Sequence, residues 1–457
     1  MTTANLTPAQ HAILAKAINT SSGKIDWFPD NIKGGARKKV LDGMFNRALI
    51  TNDGTDWFVA AEGYDALGMP RPSVNKTGIG QFEANLDQII ANGTTIRKAI
   101  KSRKWPTNSA NLEFSAVWTT RAALGSAAQR VLDDVVVPAI TASLDPASRV
   151  TGAAHRLAAN SNISFQGTNI LGLGFTMEPE AAKALIEKDE RYREVLFPYL
   201  NGQDLNSRPD CSASRWVINF HDWPEEEART YPDCYDQVLR LVKPEREANR
   251  YSRAARECWW LFERSRPELY RAIEVLPRVI VITRVSKTVM PVIVPTGQVI
   301  SEAVVVFATG DTAMLALLSS APHYWWTVAR ASSMRTDIRY TPSDVFETLA
   351  LPEFTEEMRQ LGDRLDTYRR DLMLARQAGL TATYNLVNDP TCRDADIEEL
   401  RNIHRQIDEA VCRAYGWDDL LAQGLDHDFY DLGREVRYTI GPSVRQEILD
   451  RLLELNH

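Results

Sequence analysis

The stretch LFPYLNGQDLNSRPDCSASRWVINFHDW, residues 196–223, decides how the chain is organised. Within it, Arg215–Phe220 alternates between polar and apolar residues, which predicts a β-strand. Asn201-Gly202 predicts a turn on the way into that strand. Asn219 and His221 then place polar side chains at the end of the strand. A strand followed by a polar loop explains these residues without any function, and a binding edge is the alternative.

Composition limits the kinds of protein that this chain can be. Its 457 residues leave room for two to four domains, and 44% hydrophobic with 25% charged residues is ordinary for a globular protein. The net charge of −7 means that a nucleic-acid site would have to be a local basic face. Five cysteines without a CxxC pair argue against a zinc site and a disulfide framework, and favour the cytoplasm. The sequence shows no signal peptide and no apolar run of membrane-spanning length, so no membrane partner is expected.

Residues 1–72 predict a small domain with the layout of a winged helix. Thr7-Pro8 caps a helix at Ala9–Ile18, and Arg37–Asn46 predicts a second helix. Asn52-Asp53-Gly54 then predicts the turn of a hairpin. Basic residues cluster beside the second helix, where they either contact phosphates or form a solvated face.

Two strands are predicted next, at Thr94–Ile100 and Leu112–Trp118. Basic residues crowd the segment between them, with Lys101, Arg103 and Lys104 at its start. This cluster predicts phosphate contacts or the wall of a former substrate channel, and a plain charged loop is the alternative.

Several motifs in a fixed order resemble large bacterial adenine-specific DNA methyltransferases of the fused type II restriction-modification and phage-exclusion class. They are PYLNGQDLNSRPD (198–210), SRWVINFHDWP (214–224), SKTVMPVIVPTGQVIS (286–301), HYWWTVARASSMRTDIRYTPSDVFETLALP (323–352), TATYNLVNDP (381–390), YGWDD (415–419) and ILDRLLELNH (448–457). The resemblance covers residues 78–457. Residues 1–72 resemble instead a small uncharacterised bacterial domain with LTPAQ, WFPDN and GGARKKVLDG, to which no function is attached.

The resemblance implies an α+β chain of four parts. Residues 1–72 form the winged-helix-like domain, and residues 73–125 a remnant strand pair of the methyltransferase sheet. Residues 126–352 form a mixed α/β target-recognition domain, and residues 353–457 a helical brace.

Contact residues for double-stranded DNA are expected mainly in the recognition domain. The set is Lys101, Arg103, Lys104, Arg215, Asn219, His221, Arg284, Lys287, Arg335, Arg339 and Tyr340. Asparagine suits adenine, and arginine suits guanine or phosphate. Residues 240–287 are locally basic, with twelve Lys or Arg against six Glu and interleaved aromatics. The alternative is that these aromatics are core, and that Arg335 and Arg339 pair with Asp337 or Asp344 on the surface.

The catalytic motifs of a methyltransferase do not occur in the sequence. Such an enzyme needs a glycine-rich loop for S-adenosylmethionine and an (Asn/Asp)-Pro-Pro-(Tyr/Phe) turn for the flipped adenine. We therefore expect no catalytic residue and no cofactor on this chain. Sequence-specific DNA binding is the first hypothesis. The others are adenine methylation with a methyltransferase catalytic subunit in trans, a regulatory or decoy protein, and a degenerate gene fusion.

Further secondary structure is predicted from periodicity and capping. Strands are expected at Val131–Ile140, Gly167–Met177, Val279–Val285 and Val304–Ala308, and helices at Pro179–Lys188 and Leu315–Ala329.

The C-terminal part is expected to be helical. Apolar residues form stripes from Met358 to Leu372 and from Ile397 to Val411, and Gly416 is expected to end the second of these helices. Ser443 with Gln446 predicts a capping box for the last helix.

Overall fold

The computed structural model describes residues 6–457 apart from residues 21–23, 30–31, 34, 46, 48, 53–56, 60–66, 68–85, 87–88, 91–92, 105–112, 123–128, 138, 142–143, 145–149, 151, 249–252, 335–336 and 433–434. The chain divides into two compact units, residues 1–96 with 119–126 and residues 97–118 with 127–457. Within the described ranges, no helix is both long and apolar enough to cross a membrane.

The first unit contains the two predicted helices and the predicted hairpin. Its elements are α1 (Pro8–Thr20), α2 (Gly35–Phe45), β1 (Ile50–Asn52) and β2 (Trp57–Val59), and the two strands are antiparallel. The predicted cap is confirmed: Gln10 N donates to Thr7 Oγ1 over 3.3 Å, and Thr7 N donates to Gln10 Oε1 over 3.2 Å. This reciprocal pair satisfies backbone donors at the start of α1. The turn of the hairpin lies outside the described residues.

The second unit carries most of the chain. Its elements, of which β3 and β4 extend into the first unit, are β3 (Thr95–Lys104), β4 (Glu113–Thr120), β5 (Arg130–Leu132), β6 (Val135–Val137), β7 (Ser164–Gln166), β8 (Thr176–Met177), α3 (Pro179–Lys188), β9 (Leu196–Leu200), α4 (Gly202–Ser207), β10 (Arg215–Ile218), α5 (Glu225–Ala228), α6 (Pro232–Leu241), α7 (Lys243–Ala248), α8 (Arg253–Glu257), α9 (Pro267–Ile273), β11 (Arg278–Thr283), β12 (Val285–Ser286), β13 (Val292–Pro295), β14 (Val299–Ile300), β15 (Val304–Phe307), α10 (Thr312–Ser319), α11 (Ala321–Arg330), β16 (Ser332–Met334), β17 (Asp337–Arg339), α12 (Glu356–Arg376), α13 (Leu380–Val387), α14 (Ala395–Ala414), α15 (Asp418–Gln423), β18 (Asp428–Asp431), β19 (Val436–Thr439) and α16 (Pro442–Asn456). The predicted α+β class is confirmed.

Two four-stranded sheets form the centre of this unit, in the orders β14-β9-β10-β8 and β13-β11-β15-β7. The predicted strand of the opening stretch is β10, which lies between β9 and β8 and runs antiparallel to both. β14 runs parallel to β9 in the first sheet, and the chain then enters the second sheet as β15. The backbones approach closely at this crossing, because a Cβ on Gly167 would lie 2.2 Å from Ser301 O.

Two predicted strands are wrong in extent. The segment Val131–Ile140 is instead the hairpin β5–β6, because Asp133 and Asp134 have φ of 47° and 67° and close a two-residue turn. The segment Gly167–Met177 is mainly irregular, because Leu171 and Gly172 have φ of 42° and 130°. Only β8, at its end, is a strand.

One helix predicted from the sequence consists of two helices in the structure. The apolar run Leu315–Ala329 is divided between α10 and α11 at Ser320, whose hydroxyl accepts from His323 N, with proline in the first turn of α11. His323 is fully buried. Its Nδ1 lies 2.7 Å from Leu318 O and its Nε2 lies 2.9 Å from the Tyr340 hydroxyl. Nδ1 therefore donates to the carbonyl, and neutral Nε2 accepts from the tyrosine.

The C-terminal helices share one core with the second sheet. Both predicted stripes are confirmed on α12 and α14, whose apolar faces pack into the cluster that contains β11, β15 and α10. α10 and α12 cross closely at Gly362, where a Cβ would lie 1.9 Å from Thr312 O. The predicted stop is also present, since Gly416 follows α14 with φ of 74°.

Two expectations for residues 353–457 are wrong. The segment is not entirely helical, because β18 and β19 form an antiparallel hairpin. The last helix begins after Gly441 without a side-chain cap, and Gln446 donates to Asp450 one turn further along. Ser443 lies inside the helix, so it cannot serve as its cap.

Gly362→Ala should destabilise the protein, although alanine normally stabilises a helix interior relative to glycine by about 0.5–1 kcal/mol. The added methyl group must displace the backbone of α10, so we expect a loss of about 1–3 kcal/mol in the free energy of unfolding. Urea unfolding measures this loss. The control is Asp363→Ala, at the exposed position next to it on α12, which should stay within about 0.5 kcal/mol of wild type. A gain in stability for Gly362→Ala would contradict the close crossing.

Acid should weaken the fold through His323. Burial lowers its pKa from 6.5 to about 4, so the unfolded chain binds a proton between these values and the folded chain does not. Its contribution is complete above pH 6.5 and falls by about 1.4 kcal/mol for each pH unit down to pH 4. Urea unfolding between pH 4 and 6.5 should show that the free energy of unfolding depends less steeply on pH in His323→Gln than in wild type. Tyr340→Phe should lower stability at every pH by about 1–3 kcal/mol and keep the slope. If the free energy of unfolding of His323→Gln depended on pH as steeply as that of wild type, the pH dependence could not be assigned to His323.

Candidate nucleic-acid interface

A small sheet brings together basic residues that are distant in sequence. Its strand order is β12-β17-β16, and Val285 on β12 lies opposite Arg339 on β17. Arg284 directly precedes β12, and its carbonyl accepts from Tyr340 N over 2.7 Å. Lys287 directly follows β12 and is exposed. Arg284 and Arg339 therefore lie at one end of β12 and Lys287 at its other end; these three residues are called the basic cluster.

An open cleft of about 480 Å³ is lined by Arg284 of the basic cluster. Its lining residues come from α4, from the end of β11 and from the turn before β15, and they are Gly202, Gln203, Asn206, Ser207, Thr283, Arg284, Val285, Glu302 and Ala303. α4 belongs to the opening stretch and is fixed by a capping box between Asn201 and Asp204. Amide, guanidinium and carboxylate groups thus line one cleft, which offers both donors and acceptors to a ligand.

The basic cluster is not neutralised by nearby carboxylates. Burial lowers the pKa of Arg284, and the positive charges of Arg339 and Arg266 lower it further, while Glu302 acts in the opposite direction. In the described part of the chain, none of the three cluster residues forms an ion pair. The expected alternative, in which Arg339 pairs with Asp337 or Asp344, is therefore not observed. An anion bound here would relieve the mutual repulsion of these cations.

Arg215, Asn219 and His221 belong to a different sheet from the basic cluster. Arg215 forms an ion pair with Glu178 at 3.0 Å. Asn219 Oδ1 accepts from His221 N over 2.9 Å, and His221 Nε2 lies 2.8 Å from Glu194 O. These contacts stabilise the turn after β10, in which His221 has φ of 56°. Each of the three side chains has a local structural role in the free protein.

Tyr340 is not a surface residue, so its assignment as a DNA contact needs correction. Its side chain is 1% exposed and packs edge-on against Phe307. Its hydroxyl is already used by His323. Tyr340 therefore anchors the end of β17 to α11, and the hydroxyl cannot reach a ligand in this conformation.

The remaining predicted contacts are only partly described. Lys101, Arg103 and Lys104 continue β3 and do not begin a loop, which corrects the predicted end of that strand. Lys101 is exposed, and its backbone amide donates to Asp133 Oδ1 over 3.0 Å. The side chains of Arg103 and Lys104, and the whole of Arg335, lie outside the described residues.

The sequence did not single out several cleft residues. Gln203 and Asn206 stood inside a quoted motif whose start was interpreted as turn chemistry, and only the fold turns α4 towards β11. Glu302 carried no local signal at all. In the basic segment 240–287, the core alternative holds for Trp259 and Phe262, which are buried in the apolar cluster that contains residues of β9 and β10.

Comparison with known proteins gives this region a family. Residues 146–353 match the model of the MmeI target recognition domain. The solved structure of the type IIL restriction-modification enzyme MmeI in complex with DNA matches with a TM-score of 0.57 and 15% identity, over 82% of this chain. This chain spans 47% of that protein. The type IIG restriction endonuclease BpuSI matches with a TM-score of 0.27 and 13% identity over 58% of this chain and 32% of its own, too low to support an argument.

Among curated proteins, none matches this chain. The family match spans both central sheets, the cleft and the small sheet with the basic cluster, and the solved MmeI structure shares the fold over a longer range. The part of the chain that holds the candidate interface, residues 146–353, is thus similar to the target recognition domain of MmeI and shares the fold of the MmeI structure.

Proposed function

We propose that this chain binds duplex DNA sequence-specifically, as the target-recognition part of an adenine-specific restriction-modification methyltransferase. The observation that carries the proposal is the basic cluster: none of its three cations forms an ion pair in the described part of the chain, and Arg284 lines a cleft together with amide and carboxylate side chains. Neighbouring cations such as Arg284 and Arg339 repel one another in the free protein and suit a polyanionic ligand. The family assignment of the same residues points to the same ligand.

Different side chains of the basic cluster and the cleft suit phosphates and bases. Lys287 is exposed and suits a phosphate, whereas Arg284 and Arg339 can donate two hydrogen bonds to a guanine edge. Gln203 and Asn206 suit adenine, because an amide both donates and accepts. Glu302 suits the amino group of cytosine. Arg335 remains a proposed contact on sequence grounds, next to Arg339.

Alanine at each position of the basic cluster should weaken DNA binding in a way that reveals its role. We expect Lys287→Ala to weaken binding to all duplexes. It should also lower the salt slope, which is the steepness with which log affinity falls with log salt concentration, by about one. Arg284→Ala and Arg339→Ala should each lose about 1–3 kcal/mol on the preferred site and relax the preference at one position. Selection from a random duplex pool, followed by binding titrations at several salt concentrations, measures both effects.

Arg278 provides a matched control. It begins β11, whose other end lines the cleft, and it donates to Gly310 O. Arg278→Ala therefore removes an equal charge away from the cleft, and this variant should bind DNA as wild type does. Arg215→Ala tests the first sheet, which contains β10, as a contact surface. If the three cluster variants and wild type select the same duplexes with equal affinity, the cleft does not read DNA. Loss of binding in Arg215→Ala alone would move the interface to β10.

A second candidate function is adenine methylation with the catalytic part supplied in trans. It is favoured by the neighbouring strands β3 and β4, which the sequence resemblance assigns to the edge of a methyltransferase sheet. On this view S-adenosylmethionine binds only when the catalytic part is present. Calorimetric titration of the chain alone with S-adenosylmethionine should show no binding. Binding with micromolar affinity would mean that these 457 residues hold a cofactor site of their own.

A further inference from the structure

The loop between β12 and β13, residues 287–291, has a strained backbone. Val289 has φ of 50°, in the left-handed region that β-branched residues avoid. Such a conformation costs about 1–3 kcal/mol and persists only where the surroundings enforce it. Thr288, Val289 and Met290 are buried, whereas Lys287 of the basic cluster is exposed at the start of the loop. Whatever enforces this loop also sets the position of Lys287.

Two buried arginines from the C-terminal part hold the carbonyl groups of this loop. Arg437, on β19, donates from Nη2 to Thr288 O over 3.1 Å and from Nη1 to Lys287 O over 3.4 Å. Arg369, on α12, donates to Pro291 O over 2.6 Å. The loop thus has three of its five carbonyl groups fixed from outside.

Arg437 is itself firmly placed. It is 5% exposed, and its guanidinium carbon lies 3.5 Å from the ring centroid of Tyr324 on α11. The strand that carries it is fixed on both sides, since Tyr438 N donates to Asn388 Oδ1 over 3.1 Å and Trp325 Nε1 donates to Thr439 Oγ1 over 3.2 Å. A planar fork held in this way fixes two successive carbonyls and hence the backbone between them.

We propose that Arg437 is a positioning residue of the DNA interface, which acts by orienting Lys287. This inference rests on the proposed function and changes the role of the C-terminal hairpin. Residues 428–439 then set DNA affinity as well as stability, because the loop that carries Lys287 takes its conformation from them.

The first test needs no DNA. Trypsin cleaves after lysine, and cleavage at Lys287 requires the loop to open locally. We expect Arg437→Gln to speed cleavage at Lys287 about tenfold or more, with Arg437→Lys in between, because charged hydrogen bonds to the loop are lost. The control is Arg413→Gln, which removes an exposed arginine paired with Glu357 on α12 and should cleave as wild type does. Faster cleavage at all sites would signal global unfolding. That result, or an unchanged rate at Lys287, overturns the positioning role.

The second test is a double-mutant cycle on DNA affinity. If Arg437 acts through Lys287, Arg437→Gln should lower affinity and the salt slope as Lys287→Gln does, and the double variant should lose nothing further. Additive losses would overturn the proposal, since they would mean that Arg437 acts by another route. Absence of DNA binding by wild type would refute the proposed function instead, and the cleavage experiment would then decide alone whether Arg437 orients the loop.

Discussion

Buried backbone carbonyls in irregular segments are the constraint on which this structure depends. A buried carbonyl must accept a hydrogen bond, and segments without regular structure cannot supply one to themselves. Here buried arginines supply it. Arg246 donates to carbonyls of the irregular segments on both sides of it, at residues 170–171, 255, 258–259 and 261. Arg401 donates to the last carbonyls of α13, at residues 386 and 387, and to those of residues 389 and 392 in the segment after it, and Arg369 and Arg437 donate to the loop between β12 and β13.

Arginine suits this role because it carries five donors in a rigid plane and stays charged when buried. Burial lowers the pKa of Arg246 only to about 10, so it remains a cation near neutral pH. Its guanidinium also lies over the ring of Phe175, which offsets part of the lost hydration. The arrangement gives irregular loops the rigidity of regular elements, and recognition surfaces require such rigidity because their side chains must meet a ligand in one geometry.

Two kinds of contact account for many of the arginines in the described part of the chain. Arg246, Arg369, Arg401 and Arg437 are buried on carbonyl groups, and many exposed arginines pair with acidic side chains, as Arg413 does with Glu357. Arg284 and Arg339 belong to neither class in the described part of the chain. Under the proposed function, their missing partner is the phosphate backbone or a guanine edge. A local excess of positive charge in a chain of net charge −7 is what such an interface needs.

The sequence by itself determined the elements whose signals are local. The predicted helix Pro179–Lys188 has the bounds of α3, and the stripes of α12 and α14 face the core as the 3.6-residue period requires. The order of motifs determined the family of residues 146–353. Tertiary structure alone decided that Tyr340 is buried against His323, that α4 faces Arg284 and Glu302, and that Arg437 reaches a loop about 150 residues earlier. Hydrophobic period and capping act within one or two turns, whereas the partner of a buried polar group is fixed by which elements pack together, and no local pattern encodes that.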